Sequence, residues 1–396
     1  MKFKENNFLK ALLEDFNSLF HPKEKFIMAG SPCFLGLFGR DSLISSWQLL
    51  DYDPQIAKST LKILAKFQGK KIDFKTGEEP GKILHEYYPK STPDSWWQKY
   101  KAHIKWLKRG EPNYMSLDST PLFLIVLAEY YKKTKDKKFL EELWENIKKA
   151  IDWIIDFGDI NKDGFLDYGK RKWKEGLPVQ SWKDASGDLF SGLKSPIAPV
   201  EVQGYAYLAF KEMAKLAEIF KKESLSQILE RKAKILKKKF NQKFWMPESN
   251  FFALALDGKR KQKLTITSDP GHLLFTGICD KKKENKVVKR LFKPDLWTIY
   301  GIRTHSTLEQ DFNPLSYQRG SIWPHNNWLI AQGLKKLGYK KEYQKIKKAI
   351  LKAWKELKSI PEYYSVIDKK IIRIKKACYP QSWSIGAVIN FLSLKA

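Results

Sequence analysis

The sequence predicts an all-α chain folded as an (α/α)6 barrel, a toroid of six helical hairpins, in a single domain covering residues 1–396. Three observations carry that expectation. Apolar residues recur at helical spacing through most of the chain, and strand-like alternation is scarce, with "SNFFALALDG" (249–258) its best short example. The helices alternate between two kinds, one apolar nearly all round and one amphipathic with a Lys-rich face. No Pro/Gly/Ser-rich linker divides the chain, and no β-rich domain precedes the helical region.

A helix over about 6–20 opens the chain. Helices then follow in couples near 42–50 and 54–68, 119–133 and 138–157, 201–222 and 224–242, 271–278 and 284–292, 323–337 and 340–358, with a last one near 382–394. The apolar kind includes "SLISSWQLL", "STPLFLIVLAEYY", "EVQGYAYLAF", "PHNNWLIAQGL" and "SWSIGAVINFL". The amphipathic kind includes "PQIAKSTLKILAKF", "SLSQILERKAKILKKKF" and "KKEYQKIKKAILKAWKEL". A helix apolar on all sides must be buried on most of them, and an amphipathic one covers it from outside. Inner–outer couples in succession are what a toroid of hairpins requires.

Hydrophobic residues make up 43% of the chain, enough for a large core, and 14 Trp is an unusually high number. Trp serves equally as core filler and as a stacking surface in clefts. The net charge of +29 invites a polyanion partner, but the lysines lie along helical faces rather than in one patch. No zinc-finger, RNA-recognition or helix-turn-helix pattern accompanies them, so no nucleic-acid partner is expected. Cys33, Cys279 and Cys378 are odd in number and far apart, which implies neither a disulfide framework nor a metal site. The N-terminal stretch "MKFKENNFLKALLEDF" carries charge throughout, unlike a secretory signal, and no apolar run is long enough to span a membrane. A cytoplasmic protein with no membrane association is expected.

Each inner helix is preceded by a polar or aromatic segment: "LFGRDS", "NYMSLDST", "QSWKDASGDLF" with "PIAPVEVQG", "TSDPGH", "SYQRGSIWPHNN" and "CYPQSW". In a toroid these segments meet on one rim. Two carboxylates opposed across a cleft suit glycoside hydrolysis, one donating a proton to the leaving oxygen and one activating water. Asp184 precedes the third inner helix and Glu362 the sixth, on opposite sides of the ring. That leaves room for the roughly 6.5–9.5 Å separation of an inverting enzyme. Asp188 is an alternative acid, or holds the loop or the sugar, and Glu201 is an alternative base. Burial or a neighbouring acid is expected to keep Asp184 protonated. A helix cap is the plain alternative for Asp184, for Asp41 and for Asp118. Arg40 suits a sugar hydroxyl or Asp41. Trp182, Trp323 and Trp383 are candidate sugar-stacking platforms, and Lys183 is counted with the substrate contacts. His325 offers a neutral donor and acceptor but is more often a structural residue, and His85 and Glu86 lie in a segment able to fold over the mouth.

"DINKDGFLDY" (159–168) imitates a calcium loop with Asp159, Asn161, Asp163 and Gly164. Lys170 stands where the bidentate Glu is required, so an inter-helix turn is the stronger reading. No phosphate-binding glycine pattern occurs, and neither metal nor cofactor is expected.

Together, "FGRDS", "EEPGKILHE", "SLDSTPLF", "WKDASGD…APVEVQGYAY", "FNPLSYQRGSIWPHNNWLIAQGL" and "PE…YPQSWSIGA" resemble the C-terminal amylo-α-1,6-glucosidase domain of glycogen-debranching enzymes, from about residue 30 to the end. The resemblance implies an inverting glycosidase without metal, with Asp184 as acid and Glu362 as base. It implies sugar contacts from Arg40, Asp41, Asp118, Trp182, Glu201, Gln203, Trp323 and His325. The substrate it implies is an α-1,6-branched glucan or a short α-gluco-oligosaccharide. Asn326 stands where that family has Asp. In scale the chain also resembles mannosylglycerate and glucosylglycerate hydrolases. A small glycoside of that kind is the alternative substrate, and a non-catalytic carbohydrate-binding toroid the alternative of another class.

Overall fold

Residues 119–128 are buried without exception, although they form a helix with turns facing every direction. Only a helix surrounded by other helices can do this, and it sets the architecture. The computed structural model describes residues 2–24, 26–101, 107–169, 177–184 and 187–394, with the side chains of all of these but 2–6, 99–101 and 187–188. Its helices are α1 (Lys2–Ser18), α2 (Gly39–Gln48), α3 (Pro54–Lys66), α4 (Asp94–Lys101), α5 (Ser119–Thr134), α6 (Lys137–Glu142), α7 (Trp144–Asp156), α8 (Val200–Ile219), α9 (Glu223–Lys243), α10 (Leu273–Thr276), α11 (Lys281–Leu291), α12 (Pro324–Lys336), α13 (Lys340–Leu357) and α14 (Ser382–Leu392).

Six of them make a closed inner ring. In chain order α2 packs on α5, α5 on α8, α8 on α10, α10 on α12, α12 on α14, and α14 returns to α2. The outer layer follows from amphipathicity. In α13, Ile346, Ala349, Ile350, Ala353 and Trp354 are buried while the lysines between them face solvent. Outer helices α3, α7, α9 and α13 cover α2, α5, α8 and α12 respectively. Helix α11 packs behind the short 3-10 turn Asp269–His272 that leads into α10. The sixth hairpin joins the two ends of the chain, since α1 packs on α14. Close approach of the short α10 to α12 needs Gly333, where a Cβ would lie 2.5 Å from Leu274 Cβ and 2.6 Å from the Phe275 nitrogen.

The structure corrects the element reading at three places. The expected helix 138–157 is broken at Leu143 into α6 and α7. Helix α4 had no strong periodic signal in its polar-aromatic sequence "DSWWQKYK". The strand-like 249–258 stretch forms two separate two-residue strands, Phe251–Phe252 and Ala255–Leu256, and a clear hairpin, Tyr364–Ile367 with Lys370–Arg373, lies just after Glu362. These strands are too short to show a period of two. No helix among the described residues is long and apolar enough to cross a membrane.

Candidate active site

The segments that enter the inner helices gather at one mouth, around a cavity of about 600 Å³. Arg40, Asp41, Trp182, Asp184, Trp323, Glu362 and Trp383 all line it. These residues, each singled out from sequence, therefore meet at one place from separate loops.

Arg40 is the hub. Its Nη1 donates to both carboxylate oxygens of Asp118, at 3.2 and 2.9 Å, and its Nη2 donates to Asp184 Oδ2 at 2.6 Å. Burial works against a guanidinium charge here, but Asp118, Asp184 and Asp41 outweigh it and raise Arg40 above its ordinary value. Asp118 is fully buried and also accepts from Ser116 Oγ at 2.6 Å. It holds Arg40 rather than capping α5, to which its side chain gives no hydrogen bond. Asp41 likewise gives no cap to α2. It accepts from Gln381 Nε2 at 3.2 Å, and burial, with Glu362 and Asp184 adding and Arg40 opposing, pushes its carboxyl up to about 8.

Glu362, which precedes the last inner helix, lines the same cavity. Tyr317 Oη donates to its Oε1 at 2.6 Å and the Cys378 N–H to its Oε2 at 3.2 Å. Burial raises the Glu362 carboxyl to about 7 despite those two donors, with Asp184 adding to the rise. The setting of Asp184 differs from the buried one expected. Its side chain is 22% exposed and accepts from Arg40, while burial raises the neighbouring Asp41 and Glu362 carboxyls.

The aromatic wall is continuous. Trp182 meets Trp323 edge-on at 5.8 Å, Trp323 stacks on Tyr363 at 5.1 Å, and Trp383 stacks on His325 at 3.8 Å. Trp383 Nε1, His85 Nδ1 and Arg40 Nε are buried atoms without a hydrogen-bond partner among the described residues, on side chains that line the cavity. Buried polar atoms are rarely left unpaired, so each of these would take a water or a ligand group as partner.

Other sequence candidates lie behind this wall. His325 is fully buried beneath Trp383 and is held neutral by burial. Gln203 braces the backbone, bonding Leu166 N–H and C=O and the Pro199 carbonyl. Glu86 accepts from Asn113 Nδ2 at 2.8 Å, and Lys183 is paired with Asp269 at 2.8 Å. Glu201 is 1% exposed, away from the cavity wall, and burial followed by the nearby Asp269 raises its carboxyl far above its ordinary value. None of these residues is among those lining the cavity. The Asp188 side chain and Lys170 lie outside the described residues. The turn around Asp163 satisfies itself: Asp159, Asp163 and Asp167 approach one another within 4.8 Å, but each accepts backbone N–H groups of the same loop.

Sequence reasoning did not assign Tyr317, Tyr363, Phe34, Phe38, Cys33 or Cys378 to the site, and they line it together with others such as Lys376. Tyr317 had a signal, since it stands six residues before Trp323 in the motif that carries that Trp.

Comparison with known proteins adds to this geometry. The family model of the mannosylglycerate hydrolase MGH1-like glycoside hydrolase domain matches residues 37–366. Mannosylglycerate hydrolase of Rubrobacter radiotolerans is 24% identical over 153 residues, which is 37% of this chain and 34% of that protein. Mannosylglycerate hydrolase MGH1 of Selaginella moellendorffii is 31% identical over 88 residues, 22% of this chain and 18% of that protein. The matched stretch thus spans about a third or less of the length of these relatives. The GH63 mannosylglycerate hydrolase of Thermus thermophilus, solved in complex with Tris and D-glycerate, superposes with a TM-score of 0.76 at 14% identity, covering 97% of this chain and 100% of that one. An uncharacterized conserved protein from the same organism gives 0.78, also at 14% identity and with the same coverage. At such identities the likeness to solved structures is one of fold.

Proposed function

The chain belongs to the mannosylglycerate hydrolase MGH1-like family of glycoside hydrolases, and on that premise we propose that it hydrolyses a small α-glycoside of a hydroxy acid, of the mannosylglycerate kind, with inversion. The observation that carries this reading is the cavity of about 600 Å³ that Asp184 and Glu362 both line, from the third and sixth repeats. Its size suits one sugar ring and a short aglycone. The names of the curated relatives favour this small-glycoside alternative, and none of these comparisons supports α-glucan debranching.

In this mechanism the sugar ring packs on the Trp wall, and its hydroxyls meet the polar side chains that line the same cavity. Glu362 as carboxylate takes a proton from water as that water attacks the anomeric carbon. Asp184 gives a proton to the departing glycosidic oxygen. One water is consumed, the glycosidic C–O bond breaks, and the proton left on Glu362 returns to Asp184 through solvent before the next cycle. Asp184 must therefore gain a proton when substrate loosens its contact with Arg40. Asp41, protonated up to about pH 8, keeps one in the same cavity.

The pH profile follows from these carboxyls. The base must be ionised, so kcat/KM rises as pH climbs through about 7. The cluster must still hold a proton for the acid, so kcat/KM falls as pH passes about 8. A narrow bell between these limbs is expected, and Asp41→Asn should displace its alkaline side. A flat profile from about pH 5 to about pH 9 would defeat the assignment.

The substrate reading is tested by anomer-resolved NMR of products from a panel: α-mannosylglycerate, α-glucosylglycerate and isomalto-oligosaccharides. Release of the β-anomer of the sugar from a glycerate glycoside, with little from isomaltose, is the expected result. Preferential release from isomalto-oligosaccharides would return the protein to the debranching class.

A further inference from the structure

Lys183, the residue immediately before Asp184, has a side chain with no exposure at all. A buried ammonium needs a counter-charge and hydrogen-bond acceptors to remain in place. It finds both in one corner. Its Nζ lies 2.8 Å from Asp269 Oδ2 and donates to the Thr304 carbonyl at 3.0 Å. The same Asp269 takes the indole N–H of Trp182 on its other oxygen, at 2.7 Å. One carboxylate therefore grips two consecutive residues of the loop, and the next residue is Asp184.

Other contacts make the grip stiff. Gln318 Nε2 donates to the Trp182 carbonyl at 2.7 Å, and the Leu117 N–H donates to the Gln180 carbonyl at 2.7 Å. Asp269 itself opens the short turn Asp269–His272, whose His272 is fixed between Tyr205 Oη at 2.7 Å and Asn326 Oδ1 at 2.8 Å. Asp269 is 1% exposed and does not line the cavity. Its charge persists there because Lys183 outweighs the effect of burial, which alone would raise it. Glu201, its neighbour, stays neutral.

We propose that Asp269 is a positioning residue for hydrolysis: acting through Trp182 and Lys183, it sets the Asp184 carboxyl against the leaving oxygen. The proposal rests on the reading of Asp184 as the acid. It also explains why a Lys stands between a stacking residue and a catalytic one, where it touches neither substrate nor solvent. A misplacement of about 1 Å at a reacting group can cost about a hundredfold in rate.

Asp269→Asn still accepts the Trp182 N–H but leaves Lys183 without its counter-ion, and Lys183→Met removes the cation instead. Both variants and Asp184→Asn are compared with wild type on two substrates of whichever sugar the panel selects: the glycerate glycoside, and the α-glycosyl fluoride. Fluoride departs without a proton, so acid positioning matters for the first compound and not for the second. Asp269→Asn is expected to lose roughly 30- to 100-fold in kcat on the glycerate glycoside but less than about threefold on the fluoride, with KM nearly unchanged. Lys183→Met should show the same split, and decides the matter if Asp269→Asn does not fold. Equal losses on both compounds in either folded variant would reduce Asp269 to a structural brace and overturn the proposal. If Asp184→Asn also loses equally on both, the acid assignment itself falls and takes this proposal with it. If Asp184→Asn discriminates and the Asp269 and Lys183 variants do not, only the present inference is lost.

Discussion

Asp184→Asn and Glu362→Gln should each lower kcat by roughly a thousandfold while the protein stays folded. Each replacement keeps size and shape and removes the proton chemistry, and Asn at 184 can still accept from Arg40 through its amide oxygen although the ion pair is lost. Gln at 362 can keep its Oε1 as acceptor of the Cys378 N–H and donate its amide N–H to Tyr317 Oη, whose hydroxyl can turn from donor to acceptor, so both contacts that orient the present side chain have a counterpart. The stability consequence has a definite sign. The Glu362 carboxyl is raised to about 7 in the folded protein from 4.5. The folded state therefore binds this proton more tightly than the unfolded state, and stability declines as pH rises from about 4.5 to about 7. Above that window the buried charge costs on the order of 3 kcal/mol, the equivalent of the shift. Glu362→Gln does not bear that cost, so it should melt higher than wild type at about pH 8 and at nearly the same temperature at about pH 4.5. An inactive enzyme with raised thermal stability at alkaline pH is the signature of a catalytic carboxylate held at the expense of the fold. Wild-type-like kcat in either variant, checked by initial rates on the glycerate glycoside, would end the two-carboxylate mechanism.

How much of this was legible in the sequence depends on what kind of signal each part leaves. Burial leaves a pattern: the uninterrupted apolar run of α5 and the buried positions of α13 at helical spacing are visible in the letters, and the ring follows from their alternation. The convergence of Arg40, Trp182, Asp184, Trp323, Glu362 and Trp383 was legible too, because each stands near the entrance of an inner helix and a ring brings entrances together. Direction was not legible. Lys183 and Asp184 are adjacent, yet one is sealed in the interior and the other lines the cavity. Glu201 and Gln203 stand in the first turn of α8, where an acid and an amide could face a rim, but that turn carries both into the interior. Proton location was equally hidden. Which of several neighbouring carboxyls is buried and which rests on a guanidinium depends on side-chain placement at a scale no spacing rule reaches.

Arg40→Met should be the most damaging single replacement for the fold of the site. Asp118 has no exposure, and its side chain's partners are Arg40 and Ser116. Removing the guanidinium leaves that charge buried with one hydroxyl donor, and removes the Nη2 contact to Asp184. Breaking one side of a buried ion pair costs about 3–5 kcal/mol. For a chain of this size that corresponds to a fall in melting temperature of roughly 4–6 °C. The loss should be larger at about pH 8 than at about pH 4.5, because at the lower pH Asp41 is already neutral and demands no counter-charge. Adding Asp118→Asn to Arg40→Met removes the stranded carboxylate and should restore most of the melting temperature. It should not restore turnover, since the Arg40–Asp184 contact is still missing. Those two readouts separate what Arg40 does for stability from what it does for chemistry. A single variant that melts with wild type, or a double variant that melts no higher than the single, would show that the Arg40–Asp118 pair is not what holds this side of the cavity together. Recovery of kcat in the double variant would show instead that Arg40 serves Asp184 in no way that Asp118 does not mediate.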